Sequence, residues 1–114
     1  MDVKIIVAII RRDKLEEVEK RLRDIGVECV NVSKVKGYGE YHDFFARSWM
    51  VEEVRVEIFT RSDEVETLTS AIMEAAHTGL PGDGIVAVIP VEKLFLIRTR
   101  SEATPEECWR RIES

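Results

Sequence analysis

The sequence predicts an α+β fold, a ferredoxin-like split βαβ sandwich of order βαββαβ. Three observations predict it. Two short runs, Val3–Ile10 and Ile85–Ile89, are apolar at nearly every position and rich in Ile and Val. Two longer segments carry apolar residues at helical spacing. Glycine-bounded stretches of strand-like residues lie between them, so the chain divides into two β-α-β halves. The 114 residues form one domain, with no linker and no Ser/Pro-rich stretch.

Val3–Ile10 reads as a strand covered on both faces. Asp13 opens the first helix, and Glu16 three residues later completes a capping-box pattern. Leu15, Val18, Leu22 and Ile25 form its apolar stripe, and Gly26 stops it. Val27–Val35 is the second strand, ended by Lys36-Gly37-Tyr38-Gly39. Residues 40–52 read as a long mobile loop or projecting hairpin. Val54, Val56 and Ile58 alternate with Glu53, Arg55 and Glu57, which predicts a half-buried strand with a solvated acidic face. Ser62 or Asp63 caps the second helix, whose stripe is Val65, Leu68, Ile72 and Ala75/Ala76. The turn 78–84 breaks it with three glycines. Ile85–Ile89 is a fourth, central strand ended by Pro90, and Leu94–Arg98 a short fifth. Thr104 then caps a terminal helix, residues 105–112, with Pro105 at its first position. Both helices fall on one sheet face. The other face has apolar positions and no third layer to cover them, which predicts a homo-oligomer.

Seventeen Lys and Arg against 22 Asp and Glu leave a net charge of −5, on a chain 45% apolar and 34% charged. That balance is globular, and its sign argues against a dedicated nucleic-acid binder, whose affinity starts with phosphate neutralisation. The longest unbroken apolar run, Ile5–Ile10, is far short of the roughly 20 residues of a membrane helix. The start of the chain lacks the length and cleavage site of a signal peptide, so a cytoplasmic location is expected. Cys29 and Cys108 fit no metal spacing and are expected to be reduced thiols.

No catalytic constellation stands out. His42 and His77 lie in unrelated segments, and His77 ends a helix, where an imidazolium favours the dipole. An acylphosphatase-type site needs a glycine-rich cradle after the first strand, and Arg11-Arg12 has none beside it. The acids Glu52, Glu53 and Glu57 read as a solvated face rather than a metal site. Two glycine clusters remain, residues 36–39 and 78–84. Such turns let backbone N–H groups approach a phosphate, although neither has the GxGxxG or GK[ST] pattern.

Taken in order, Val35-Lys36-Gly37-Tyr38-Gly39, Val54-Arg55-Val56-Glu57-Ile58, Ala76-His77-Thr78-Gly79-Leu80-Pro81-Gly82-Asp83-Gly84, Pro90-Val91-Glu92 and Ile97-Arg98-Thr99 resemble the PII nitrogen-regulatory signalling family. The resemblance runs from Val3 to about Glu102. It implies a non-enzymatic homotrimer with its sheets facing the centre and an adenine nucleotide in each cleft between subunits. Gly82, Asp83 and Gly84 match the phosphate-contacting turn, and Arg98 a phosphate-contacting arginine. Gly37, Tyr38 and Gly39 match the base of the family's mobile loop. Asn31, in place of the usual threonine, and Glu57 match the adenine contacts.

The departures from that pattern are specific. Ile85 stands where the family has a phosphate-contacting lysine, and Leu96 where it has a second arginine. Losing two charge-assisted contacts disfavours the most charged nucleotides, so ADP or AMP is expected over ATP. Tyr41 replaces the glutamine that helps hold magnesium and 2-oxoglutarate. Glu53 replaces the lysine that pairs with the distal carboxylate of 2-oxoglutarate, whose sensing is therefore expected to be lost. The loop is shorter than usual and lacks the tyrosine followed by Arg-Gly. Its aromatics Tyr41, Phe44, Phe45 and Trp49, with Arg47, form a partner-docking surface, or the aromatics pack back onto the trimer or fill the cleft. The expected partner is a target protein, a transporter or metabolic enzyme. No metal and no catalytic cofactor is expected. The alternative is a trimeric sensor of another small anion such as bicarbonate, with nucleotide binding lost.

Overall fold

The computed structural model describes residues 2–37 and 51–104. Its order is β1 (Val3–Arg11), α1 (Leu15–Ile25), β2 (Asn31–Gly37), β3 (Val51–Arg61), α2 (Val65–Ala76) and β4 (Gly84–Val91). Two short strands follow, β5 (Phe95–Leu96) and β6 (Ser101–Glu102), paired with each other. The main sheet is ordered β2-β3-β1-β4 with every neighbour antiparallel. In each half the two strands flank a gap, and a strand of the other half fills it. This is the split-βαβ arrangement expected from the sequence.

One face of the sheet makes the core. Ile6, Ala8 and Ile10 of β1 and Val54, Val56 and Ile58 of β3 meet Val18 and Leu22 of α1 and Leu68, Ile72 and Ala76 of α2. The helical stripes read from the sequence are the buried ones. Gly26 ends α1 in the left-handed region, φ 107°, and its N–H reaches the Leu22 and Arg23 carbonyls. The Val27 N–H is also spent on Leu22 O, at 3.0 Å. That helix-capping bond takes Val27 off the ladder, and β2 starts at Asn31 rather than at Val27.

Neither predicted side-chain cap forms. Both helices are entered through a 3₁₀ turn, Arg12–Lys14 and Ser62–Glu64, without a side-chain cap bond. The first helical N–H, on Leu15 or Val65, instead bonds the carbonyl three residues back, on Arg12 or Ser62. A tight turn thus takes a donor that a cap would serve. The two entrances are near copies, Arg11-Arg12-Asp13-Lys14-Leu15-Glu16 and Arg61-Ser62-Asp63-Glu64-Val65-Glu66.

The fourth strand corrects the reading of Ile85–Ile89 as central. β4 is an edge strand, bonded only to β1 within the described residues. Its ladder also runs past Pro90, opposite Lys4, to Val91. An edge tolerates a proline, because the missing N–H need not serve a neighbour. Ile85, Val88 and Ile89 are 41–43% exposed.

The register places Ile5, Val7 and Ile9 of β1 beside Ile89, Ala87 and Ile85 of β4 on the face away from the helices. Across the same face, β3 and β2 contribute Arg55, Glu57, Asn31 and Ser33. The open face is therefore apolar along β1 and β4 and mainly polar along β3 and β2, where Phe59 and Val35 are its apolar positions. β3 begins at Val51, earlier than the alternation suggested, so the tail of the predicted loop 40–52 is strand. The fifth strand shrinks to Phe95–Leu96, because the chain turns back at Arg100, which has φ 54°. Arg98 lies in that turn rather than in a strand. The rest of the predicted loop, with Tyr38, Gly39, Tyr41, Phe44, Phe45, Arg47 and Trp49, and the predicted helix 105–112 lie outside the described residues.

Candidate functional site

The turn after α2 is built around one carboxylate. α2 ends where the His77 N–H bonds Met73 O. Asp83 then gathers the segment. Its Oδ2 accepts the N–H groups of Thr78 and Gly79, each at 2.8 Å. Its Oδ1 accepts the Thr78 hydroxyl and, at 3.2 Å, Nε of Arg11. Arg11 Nη2 also donates to the Pro81 carbonyl, and the Leu80 N–H donates to Thr78 Oγ1 at 3.1 Å. His77 is exposed, with Nδ1 3.8 Å from Asp83 Oδ2.

Partial burial opposes the charge on Asp83, but the Thr78 hydroxyl, the Thr78 and Gly79 N–H groups and Arg11 outweigh it. They hold the carboxyl well below its ordinary 3.8. A depressed carboxylate stabilises fully above its unfolded value and loses that contribution only as pH falls through the folded one. The turn is therefore fully braced at neutral pH. Asp83 was expected among the phosphate contacts. Its oxygens here serve the turn itself, taking the Thr78 and Gly79 N–H groups, the Thr78 hydroxyl and Arg11.

Gly84 is required by close approach. Its φ is 104°, and a Cβ there would lie 1.8 Å from the Ile9 carbonyl oxygen. No side chain fits between β4 and β1 at this point, so the turn is drawn tightly onto the central strand. Gly82, φ 97°, is buried within the same turn.

The expected adenine contacts lie elsewhere. Asn31 Nδ2 approaches Glu57 Oε1 at 3.5 Å, and Arg55 Nη2 donates to Glu57 Oε2 at 3.0 Å. Asn31 is on β2 and Gly84 opens β4, the two opposite edges of the sheet. Three strand spacings, about 14 Å, separate those edges. Glu57 pairs with Val7 and Gly84 with Ile10, which adds about 10 Å along the strands. The two predicted halves of the site thus do not meet within one chain. Arg98 belongs to neither cluster. It is exposed in the β5–β6 turn beside Ile97, which is 93% exposed. Gly37 closes β2 opposite Val51.

Two positions differ from their sequence reading. Glu53 is buried, 1% exposed, between Arg11 and Val35 in the register, so the acids of β3 are not one solvated face. Glu57, two residues on, is half-buried. Arg11 was weighed only in the pair Arg11-Arg12 for an acylphosphatase-type site, yet it bonds the turn 78–84. The signal for it lies in the register. Arg11 follows Ile10, whose partner is Gly84, so it is the first β1 residue beyond the ladder and faces the turn. Among the described residues no three His, Cys, Asp or Glu side chains gather as a metal site. No helix among them is long and apolar enough to cross a membrane.

Comparison with known proteins agrees with this architecture. The family model "Nitrogen regulatory protein P-II" matches residues 3–101. The Nitrogen regulatory protein P-II of Azospirillum brasilense is 36% identical over 104 residues, covering 85% of this chain and 93% of the relative. GlnK2 of Haloferax mediterranei is 35% identical over 105 residues, 85% of each chain. The crystal structure of Arabidopsis thaliana PII bound to citrate superposes with a TM-score of 0.78 at 32% identity, covering 94% of this chain and 92% of that one. This chain belongs to the PII nitrogen-regulatory family.

Proposed function

We propose that the chain is a non-enzymatic regulator that assembles as a homotrimer and binds an adenine nucleotide in clefts between its subunits. The observation that carries this reading is the separation of the two site halves. Asn31 on the edge strand β2 and Glu57 on the neighbouring β3 lie on one side of the sheet, and the turn 78–84 lies at the β4 edge. A second copy that brings its polar edge against this copy's turn completes the site. The half-apolar open face supports that assembly, because Ile5, Ile9, Ile85 and Ile89 remain partly exposed on a lone subunit. Arg98, exposed on its turn, is free to reach a phosphate in such a cleft.

ADP and AMP are favoured over ATP. Ile85 and Leu96 put side chains without charge where the family resemblance places cations, and each charge-assisted phosphate contact is worth about 1.5–3 kcal/mol. The buried Glu53 supports the loss of 2-oxoglutarate sensing, since a dicarboxylate gains nothing from a neighbouring acid. The bound nucleotide acts through the loop 40–52 to alter affinity for a target protein, a transporter or metabolic enzyme. Calorimetric titration with AMP, ADP, ATP, bicarbonate and citrate tests the reading. Saturable heat is expected from ADP and AMP, with ATP at least 10-fold weaker. A response to bicarbonate or citrate alone would move the site to a small-anion sensor. Silence from all three nucleotides at millimolar concentration would end the proposal.

A further inference from the structure

We infer that Arg11 is the positioning residue of the anion-holding turn, and that it sets the turn's affinity without touching the ligand. The inference rests on the nucleotide reading above for its ligand, and on geometry alone for its mechanism. Arg11 is the last residue of the central strand β1, and its side chain is only 20% exposed. Its guanidinium spans two acceptors of the turn at once, Oδ1 of Asp83 at 3.2 Å through Nε and the Pro81 carbonyl through Nη2. Those acceptors are the two groups that would repel an anion if they faced it. One is a full negative charge and the other the oxygen end of a peptide dipole. Held by Arg11, both acceptors are already paired with a cation.

The hold is propagated. Asp83, pinned on its Oδ1 side by Arg11 and Thr78, has Oδ2 available for the Thr78 and Gly79 N–H groups. Without Arg11 the carboxylate loses one of its two Oδ1 partners, and the hold of Asp83 on the Thr78 and Gly79 N–H groups loosens. The planar two-donor fork is what the geometry uses, so a lysine, a single point of charge, cannot serve both acceptors. The opposite β3 register partner of Arg11 is Glu53, where the strand emerges from the segment 38–50.

The experiment uses Arg11→Lys and Arg11→Gln in the full chain. Amide hydrogen exchange on the ligand-free protein is read first, then titration with AMP, ADP and ATP. In both variants the Thr78 and Gly79 amides are expected to exchange at least 10-fold faster, while amides of the β1–β3 ladder stay as they were. Affinity is expected to fall by a similar factor, about 10-fold, for all three nucleotides, because a positioning residue disturbs the shared turn. Unchanged exchange at Thr78 and Gly79 would overturn the inference even if no nucleotide binds, which separates its failure from that of the nucleotide reading. A loss that grows from AMP to ATP, or that Arg11→Lys spares, would overturn it too. Arg11 would then be a cation on the phosphates rather than a brace.

Discussion

Gly84→Ala is expected to remove at least about 3 kcal/mol of stability, lowering the unfolding midpoint by more than about 10 °C. The methyl group would start 1.8 Å from the Ile9 carbonyl oxygen, and that oxygen belongs to the central strand. Neither partner is the far end of a flexible side chain, so the only relief is to part β4 from β1. Parting them exposes core around Ile10 and Val86 and disturbs the turn 78–84 as well. The φ of 104° adds its own cost for any residue with a Cβ. Gly79→Ala is the control. It also has positive φ, 85°, but the nearest atom to its Cβ would be His77 Nε2 at 3.7 Å. That variant should lose only about 1 kcal/mol. Equal effects of the two substitutions in a thermal unfolding series would contradict the close-approach account.

Ile89→Asp is expected to convert the assembly into monomers with little effect on the subunit fold. Ile89 is 43% exposed on the single chain, on the open face beside Ile5. A carboxylate there stays hydrated in an isolated subunit. In a closed symmetric assembly the substitution repeats in every copy, and each copy buries an unpaired charge in an apolar contact. Leaving such a charge without its partner costs about 3–5 kcal/mol. Sedimentation at micromolar concentration should show the wild type as a trimer and Ile89→Asp as a monomer with unchanged far-ultraviolet circular dichroism. A variant that sediments like the wild type would place the subunit contact elsewhere.

The periodicity of Leu15, Val18, Leu22 and Ile25, and the alternation of Val54, Val56 and Ile58, made the helices and the core face legible from the chain alone. The role of β4 was not. An apolar run on both faces is what a central strand shows, and equally what an edge strand shows when its second face is meant for another subunit. The pattern at Ile85–Ile89 is the same in both cases. The helix entrances failed for a local reason. Asp13 and Glu16 have capping-box spacing, but the chain leaving β1 turns tightly enough for a backbone carbonyl to take the first N–H. The glycines of the turn 78–84 marked the site, and a sequence resemblance linked it to Asn31, Glu57 and Arg98. The brace by Arg11 stayed hidden because Arg11 and Asp83 are 72 residues apart, joined only by the β1–β4 register.

The shared cleft is the central claim, and subunit mixing tests it most directly. One variant, Asn31→Ala with Glu57→Ala, removes the polar edge. A second, Asp83→Ala with Arg98→Ala, disables the turn and its arginine. Each alone should bind no ADP at concentrations that saturate the wild type. When the two are unfolded together and refolded as mixed trimers, a cleft that pairs an intact turn and Arg98 with an intact edge regains its site. If Arg98 acts in the same cleft half as the turn, random mixing restores about a quarter of the sites. Recovery of ADP binding near that level is the expected result. No recovery from mixed trimers, or ADP binding by either variant alone, would contradict a site built from two copies of this chain.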